Sequence, residues 1–408
     1  MNKTSTSVFS IPVFVAALGY FVDIYDLLLY TIVRVPSLRS LGLNDAQMRD
    51  DGLRIINMQM IGLLLGGIVW GVLGDKKGRL SVLFGSIILY SVANFATGFV
   101  QSVDQYAWAR FVAGLGLAGE LGAGITLVSE ILPKEKRGIG TSLVAGIGLS
   151  GAVLAYFISK EFDWRICYFI GGGLGILLLV LRISVAESGM FKDLKEKHVQ
   201  RGNFFQFFTS GKRFSKYLKS ILIGLPTWYV IGILVSFSRE FGKAFGIVEE
   251  IDPGRAIMFA YVGISIGDIT VGLLSQLLKS RKKALFIFYG LTIISIIFYF
   301  NQVGGTAASM YLICGALGFS TGFWAIFVTM GAEQFGTNLR ATAATTIPNM
   351  VRGSLPLIVL LFKDLLQVKL GHNILVAGMI TGAVVIVITL IAAWFTEETF
   401  TKDLDYLE

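Results

Sequence analysis

Apolar residues in this chain do not alternate with polar ones; they run on in long stretches. Windows of about 20 mainly apolar residues, the length a helix needs to cross a bilayer, recur near 9–32, 54–74, 80–101, 105–131, 139–159, 165–184, 218–238, 256–278, 283–301, 306–331, 342–366 and 373–395. Short breaks separate them, such as SKEFDWR after the fifth and the uncharged NQVGGT after the ninth. A helix satisfies its own backbone hydrogen bonds in lipid, where no water can. The pattern therefore predicts an all-α membrane protein with twelve transmembrane helices. The first apolar stretch is long and no small-residue cleavage site follows it, so it is expected to stay as a span rather than leave as a signal peptide.

Composition narrows the class further. Of 408 residues, 54% are hydrophobic and only 15% charged, against about 25% charged in soluble domains. A net charge of +8 could suggest nucleic acid, but in a membrane protein the distribution of charge matters more than its sum. Lys and Arg fall 22 to 11 in favour of the loops that share a side with both termini, which predicts cytoplasmic termini. Cys167 and Cys314 both lie in apolar stretches and are expected to be buried packing residues. His198 and His372 lie in loops, so no metal site is expected, and no phosphate-binding loop suggests a nucleotide or any other cofactor.

The longest polar loop divides the chain into an N-terminal half over 1–186, a linker over 187–216 and a C-terminal half over 217–408. Within the linker, FFQFFTSGKRF is either an amphipathic helix on the inner leaflet or an ordinary connection. The halves repeat. Glu130 is followed seven residues later by Arg137, and Glu333 by Arg340, an offset of 203. GVLGDKKGR from Gly71 is answered by GLLSQLLKSR from Gly272, an offset of 201. Two parallel six-helix halves with a site near the midplane are one large transporter architecture.

Gly71-x-x-x-Asp75-Lys76-x-Gly78-Arg79 resembles the signature loop of the major facilitator superfamily. RFVAGLGLAGELGAG…LVSEILPKEKRG resembles the fourth span of its metabolite:proton symporters, and YDLLLY at Tyr25–Tyr30 their first-span motif. GAEQFGTNLRATA from Gly331 is similar to a segment of the sugar and aromatic-acid porters. The resemblance covers the whole chain. It implies the major facilitator fold, no enzyme activity, and alternating access to a small-molecule substrate, with the lipid bilayer and protons as the other partners. In the second copy of the signature loop Gln276 replaces Asp75, so a gate there has to work differently.

Charges inside spans are costly and usually face a partner or a pathway. Asp23 and Asp26 lie three apart on one face of the first span. Asp26 falls at the depth of Arg110 on the antiparallel fourth span, which makes it a proton carrier or one arm of a fixed ion pair. The sugar-porter resemblance supports the proton role for Asp26, and Asp23 is a weaker candidate for the same work. Glu120, Asp268 and Arg352 all fall near the bilayer centre. Arg352, with Asn349 one turn before it, offers a fork that can grip a carboxylate. Glu120 is expected to carry the coupling proton. The alternative is that Arg352 pairs permanently with Glu120 or Asp268 to hold the halves together. Arg110, Trp228, Tyr229 and Trp324 complete the expected substrate cavity, although aromatics in spans are more often packing residues. Glu130 and Arg137, at the same cytoplasmic end, are expected close enough to join a charge network with Asp75 and Arg79, and Glu333 and Arg340 form the corresponding pair in the second half. The resemblance implies that Gly71, Asp75, Gly78 and Arg79, with those pairs, make a cytoplasmic latch.

The expectation is a monomeric, proton-coupled symporter of a small carboxylate or zwitterion in the cytoplasmic (inner) membrane. A proton-antiporting exporter and a non-transporting receptor are the alternatives. Nothing in the pattern suggests nucleic acid.

Overall fold

The computed structural model describes residues 10–77, 79–120, 128, 132, 134–187, 204–400 and 402; at 12, 74–77, 79–81, 134–139, 141–142, 184–187, 337–338 and 341 it describes the backbone alone. Those residues fold into helices with no strand among them, and they account for all twelve spans. In the first half these are α1 (Ile11–Ser40), α2 (Asp45–Lys77), α3 (Arg79–Gly98), α4 (Val103–Leu117), α5 (Lys134–Leu149 and Gly151–Glu161) and α6 (Trp164–Glu187). In the second half α7 is built from Gly211–Leu222, Leu225–Tyr229, a wide turn over Val230–Val235, and Ser238–Ala244. Then follow α8 (Pro253–Leu277), α9 (Arg281–Phe300), α10 (Ala307–Ser320 and Trp324–Glu333), α11 (Thr337–Gly353, Leu355–Val359 and a wide turn over Leu360–Lys369) and α12 (Ile374–Trp394). Nine of these, among the described residues, are long and apolar enough to cross a membrane on composition alone. α3, α4 and α11 are not among the nine; α3 contributes a shorter apolar helix, Val82–Gly98.

Local chemistry sets where the helices start. Ser102 accepts the Gln105 N–H to cap α4, Asp252 the Gly254 N–H ahead of Pro253 in α8, and Asn373 the Val376 N–H in α12. Ser280 caps α9, and Thr306 and Ser309 form a reciprocal box at α10.

The expected internal repeat is visible in the breaks. α4 turns at Ala118–Gly119 and α10 at Thr321–Phe323, with Ala118 and Thr321 203 residues apart; α5 breaks at Ser150 and α11 at Ser354, 204 apart. It is equally visible in the packing. A Cβ at Gly62 would overlap the Phe111 carbonyl, fixing α2 on α4, and one at Gly263 would overlap the Gly315 carbonyl, fixing α8 on α10. Lipid offers no hydrophobic drive between helices, so backbone approach through small residues supplies the contact. Each half thus has the same inner pair. α3, α6, α9 and α12 turn apolar residues outward, among them Val92, Leu177, Ile297 and Val387.

The seam between the halves runs along α2 against α11 and α5 against α8, and α1 also meets α8. On α2, Gly67 leaves room for Asn349 and Gly71 for Thr346, while Leu64 faces Gly353. Of the FFQFFTSGKRF segment, FFQFF is a single turn, Phe204–Phe208, and GKRF opens the first helical piece of α7, Gly211–Leu222. Phe207 stacks on Tyr217 at 4.4 Å and meets Phe335 edge-on at 4.9 Å, whereas Phe205 and Phe208 stay exposed.

Candidate central site and its charged layers

α1 has the same sequence face toward two layers of charge. Asp26 is fully buried and meets Arg110 at 3.1 Å. The same guanidinium donates to Asn94 Oδ1 at 2.8 Å and Gln59 Oε1 at 3.3 Å, and lies 5.1 Å from the Tyr168 ring centre. All of these partners belong to the first half. An ion pair this enclosed survives only because its remaining donors are also satisfied.

Two turns deeper, the expected layer of Glu120, Asp268 and Arg352 comes apart. Glu120 is held by Arg182 of α6, at 2.8 Å to one oxygen and 3.0 Å to the other, and accepts from Ser86 Oγ at 2.9 Å. Arg182 is only 5% exposed. It counts with the loop charges on sequence alone, and that count is corrected here: it lies inside the span, where a side chain at Gly19 would overlap its guanidinium. Asp268 accepts the Ala325 N–H at 2.9 Å, so it caps the second piece of α10 from a neighbouring helix. Arg352 therefore pairs with neither acid. Its guanidinium donates to Asn349 Oδ1 at 3.3 Å and sits 5.6 Å from the Trp324 ring centre. Asn349 donates across the seam to the Ala118 carbonyl at 2.8 Å.

Asp23 stands apart from both layers. It is fully buried, neither oxygen has a hydrogen-bond partner, and no cation lies within ion-pair distance among the described residues.

The aromatic expectations divide. Trp324 and Trp228 are buried with unpartnered indole N–H groups. Tyr229 is turned the other way: its hydroxyl donates to the Gly378 carbonyl at 2.8 Å and its ring covers Gly382, so it ties α7 to α12 instead of lining the seam.

At the proposed latch, Gly71 faces Thr346 on α11. The side chains of Asp75, Arg79 and Arg137, and the whole of Gly78 and Glu130, lie outside the described residues. In the second half Glu333 is nearly buried and pairs with Arg281 at 2.7 Å, and Arg340 is partly buried on the first turn of α11. Arg281 lies one residue beyond Ser280, the position that answers Arg79 at the offset of 201. The carboxylate missing at Gln276 is supplied from the chain's end, where Glu398 accepts Ser280 Oγ at 2.5 Å and the N–H groups of Arg281 and Lys282 at 3.1 Å.

The face opposite the termini carries a set of ion pairs that join the halves. Arg34 pairs with Glu240 at 2.9 Å, Asp50 with Lys363 at 2.7 Å, Asp45 with Lys243 at 3.3 Å and Lys160 with Asp252 at 2.5 Å. Arg34 is 1% exposed and lies 4.4 Å from the Phe237 ring centre. Its expected position in a loop is also corrected: the apolar window stops at residue 32, but α1 runs on to Ser40 and carries Arg34 to its partner on α7.

The pattern of the Major Facilitator Superfamily matches residues 13–359, and the chain belongs to that superfamily. It is a multi-pass membrane transporter of small metabolites rather than an enzyme. The chain is 28% identical to the niacin transporter NiaP of Acinetobacter baylyi over 368 residues, 81% of each chain. It is 24% identical to the gentisate transporter of Corynebacterium glutamicum, covering 79% of this chain and 73% of that one. A shorter match, 34% identical over 160 residues and 34% of each chain, is to a putative proline/betaine transporter of Staphylococcus aureus. In fold it is similar to the proton:xylose symporter XylE, with a TM-score of 0.70 over 96% of this chain and 97% of that one at 17% identity.

Proposed function

We propose that this protein is a monomeric proton-coupled symporter that takes up a small carboxylate or zwitterionic metabolite by alternating access. Residues 1–186 and 217–408 are the two rocking halves and 187–216 the cytoplasmic connection. Both termini lie in the cytoplasm, so the face closed by Arg34 and Glu240 is the outer one, and the membrane is the cytoplasmic (inner) membrane.

The observation that carries the coupling is the pair of enclosed carboxylate–guanidinium contacts on one wall of the first half, Asp26 with Arg110 and Glu120 with Arg182. A carboxylate that keeps its guanidinium stays ionised; one that loses it in a dry site takes up a proton. Each pair is thus a proton site whose affinity depends on helix positions. Protonating Asp26 frees Arg110, and protonating Glu120 frees Arg182, so the arrangement of charge at the seam changes with each proton. Arg352 and Asn349 on the other wall offer the donors for a substrate carboxylate, over the face of Trp324. Relatives named for niacin, gentisate and proline/betaine support substrates of that kind. On the cytoplasmic side the loop at Gly71, Asp75, Gly78 and Arg79, with Glu130 and Arg137, forms the latch, and Glu333 with Arg281 forms its counterpart.

The test is uphill accumulation in proteoliposomes under an imposed proton gradient. Wild type accumulates substrate, whereas Asp26→Asn and Glu120→Gln each equilibrate it without concentrating it. Full accumulation by both variants ends the coupling proposal.

A further inference from the structure

The buried charges of the central region are satisfied within their own halves, with two exceptions. Asp26 has Arg110, Glu120 has Arg182, and Asp268 has the backbone N–H at the start of a helix. That leaves Asp23 on α1 and Arg352 on α11, one negative and one positive, one from each half. Neither is exposed by more than 1%. Both oxygens of Asp23 and the Nε of Arg352 lack hydrogen-bond partners. Gly19, one turn before Asp23, lies against Glu120, and Asn349, which holds Arg352, donates to the Ala118 carbonyl two residues before Glu120, so both charges flank the same stretch of α4, yet they form no ion pair. An unpaired buried charge is expensive, and two opposite ones facing each other across a seam would close together unless something belongs between them.

The surroundings of Arg352 are aromatic. Trp324 lies beside the Arg352 guanidinium. Gly224 faces Val351, and Gly232 faces Leu355, so Trp228, one turn from each on the same face of α7, lies at the level of Arg352. Tyr20 and Tyr261 are buried on α1 and α8, which meet between the halves. Rings that present their faces favour alkylated or delocalised cations.

We infer that the central site takes a small zwitterion, with its carboxylate on Arg352 and its cationic end on Asp23, so that the substrate itself completes the charge bridge between the halves. A plain monoanion would satisfy Arg352 but leave Asp23 unpaired with a second negative charge beside it. A zwitterion adds no net charge and satisfies both ends. The inference rests on the transporter reading above and narrows its substrate to one of the two classes. It also separates Asp23 from the coupling carboxylates: Asp23 receives the cationic end of the substrate, and the proton is carried by the guanidinium-paired acids.

Isosteric pairs test this on the full-length protein in lipid nanodiscs and proteoliposomes. Glycine betaine is compared with 3,3-dimethylbutyrate, L-proline with cyclopentanecarboxylate, and N-methylnicotinate with 3-methylbenzoate, by ligand-induced thermal shift and by uptake. At least one zwitterion should bind about tenfold or more tightly than its acid isostere, the factor that a single charge-assisted contact supplies. Asp23→Asn, close in shape to the native side chain, should bring the two members of that pair together. Equal or tighter binding of the acids overturns the inference, as does a zwitterion preference that survives Asp23→Asn. So does rejection of every zwitterion while a carboxylate or a neutral solute is taken up, a result that leaves transport standing. Tight zwitterion binding with no uptake of any solute would instead sink the transporter reading and keep the site.

Discussion

Replacing Arg34 with Met should open the face opposite the termini. Arg34 joins α1 to α7 through Glu240 at 2.9 Å, reaches the Ser236 carbonyl at 3.4 Å and lies against the Phe237 ring. Methionine keeps much of the aliphatic bulk and removes the charge. Breaking a buried pair costs about 3–5 kcal/mol. Glu240, with a side chain 23% exposed, can recover part of its hydration, so about 2 kcal/mol is the expected loss, on the order of 30-fold in an equilibrium. The other pairs on this face are exposed and are each worth about 0–1 kcal/mol. Because the Arg34 contact crosses the seam, its loss appears as a shift between closed and open conformers rather than as unfolding. Ser236, buried beside the pair, reports the opening: Ser236→Cys is introduced with Cys167→Ser and Cys314→Ser, and maleimide labelling rates are compared in purified protein. The rate should rise on the order of 30-fold with Arg34→Met and by no more than about fivefold with Asp50→Asn, which removes only exposed contacts, to Lys363 and to the neighbouring Arg49. An unchanged rate in Arg34→Met, or an equal rise in both variants, refutes the reasoning.

Three further outcomes follow from the same geometry. Arg182→Met leaves Glu120 buried with Ser86 as its remaining partner, which should cost about 3–5 kcal/mol in unfolding free energy; the Arg182→Met/Glu120→Gln double variant should regain most of it, as read by chemical denaturation. Gly62→Val forces a side chain into the Phe111 backbone and separates α2 from α4, so the folded yield and melting temperature should both fall, whereas Gly173→Val, with open space at its Cβ, should change neither. Burial raises the Glu398 carboxyl, but Ser280 Oγ and the N–H groups of Phe400, Lys282 and Arg281 outweigh it and hold the group below its ordinary 4.5. A depressed folded value means that its stabilisation is present above 4.5 and is lost as the pH falls through the lower folded value. Glu398→Gln should therefore lower the melting temperature at pH 7 and narrow its gap from wild type on acidification.

Much of the architecture was legible because lipid enforces it. Long apolar windows, the glycines of α2, α4, α8 and α10, and the repeated Glu-Arg spacing all follow from having no water to satisfy a backbone and no hydrophobic drive between helices. The Asp26–Arg110 contact was also legible, because antiparallel spans convert distance from a helix end into depth. The partners of Glu120 and Arg34 were not. Arg182 lies near the end of its apolar window, where a charge inside the span and a charge at the flank give the same pattern. Arg34 lies just beyond the first window, yet the helix continues because a carboxylate on α7 meets it. Facing was harder still. The wide turn at Val230–Val235 and the break at Phe323 shift the helical phase, so Tyr229 points to α12 although its neighbour Trp228 faces the seam, and Asp268 serves as a cap for a helix start that periodicity does not reveal.

The central claim, that proton uptake and substrate uptake are one event, is tested most directly by a pH-sensitive dye trapped in proteoliposomes. With the membrane potential clamped, adding a transported solute outside should acidify the lumen in wild type. Asp26→Asn/Glu120→Gln vesicles should exchange labelled for unlabelled solute and give no acidification. Solute accumulation in wild type without any proton signal would contradict the account.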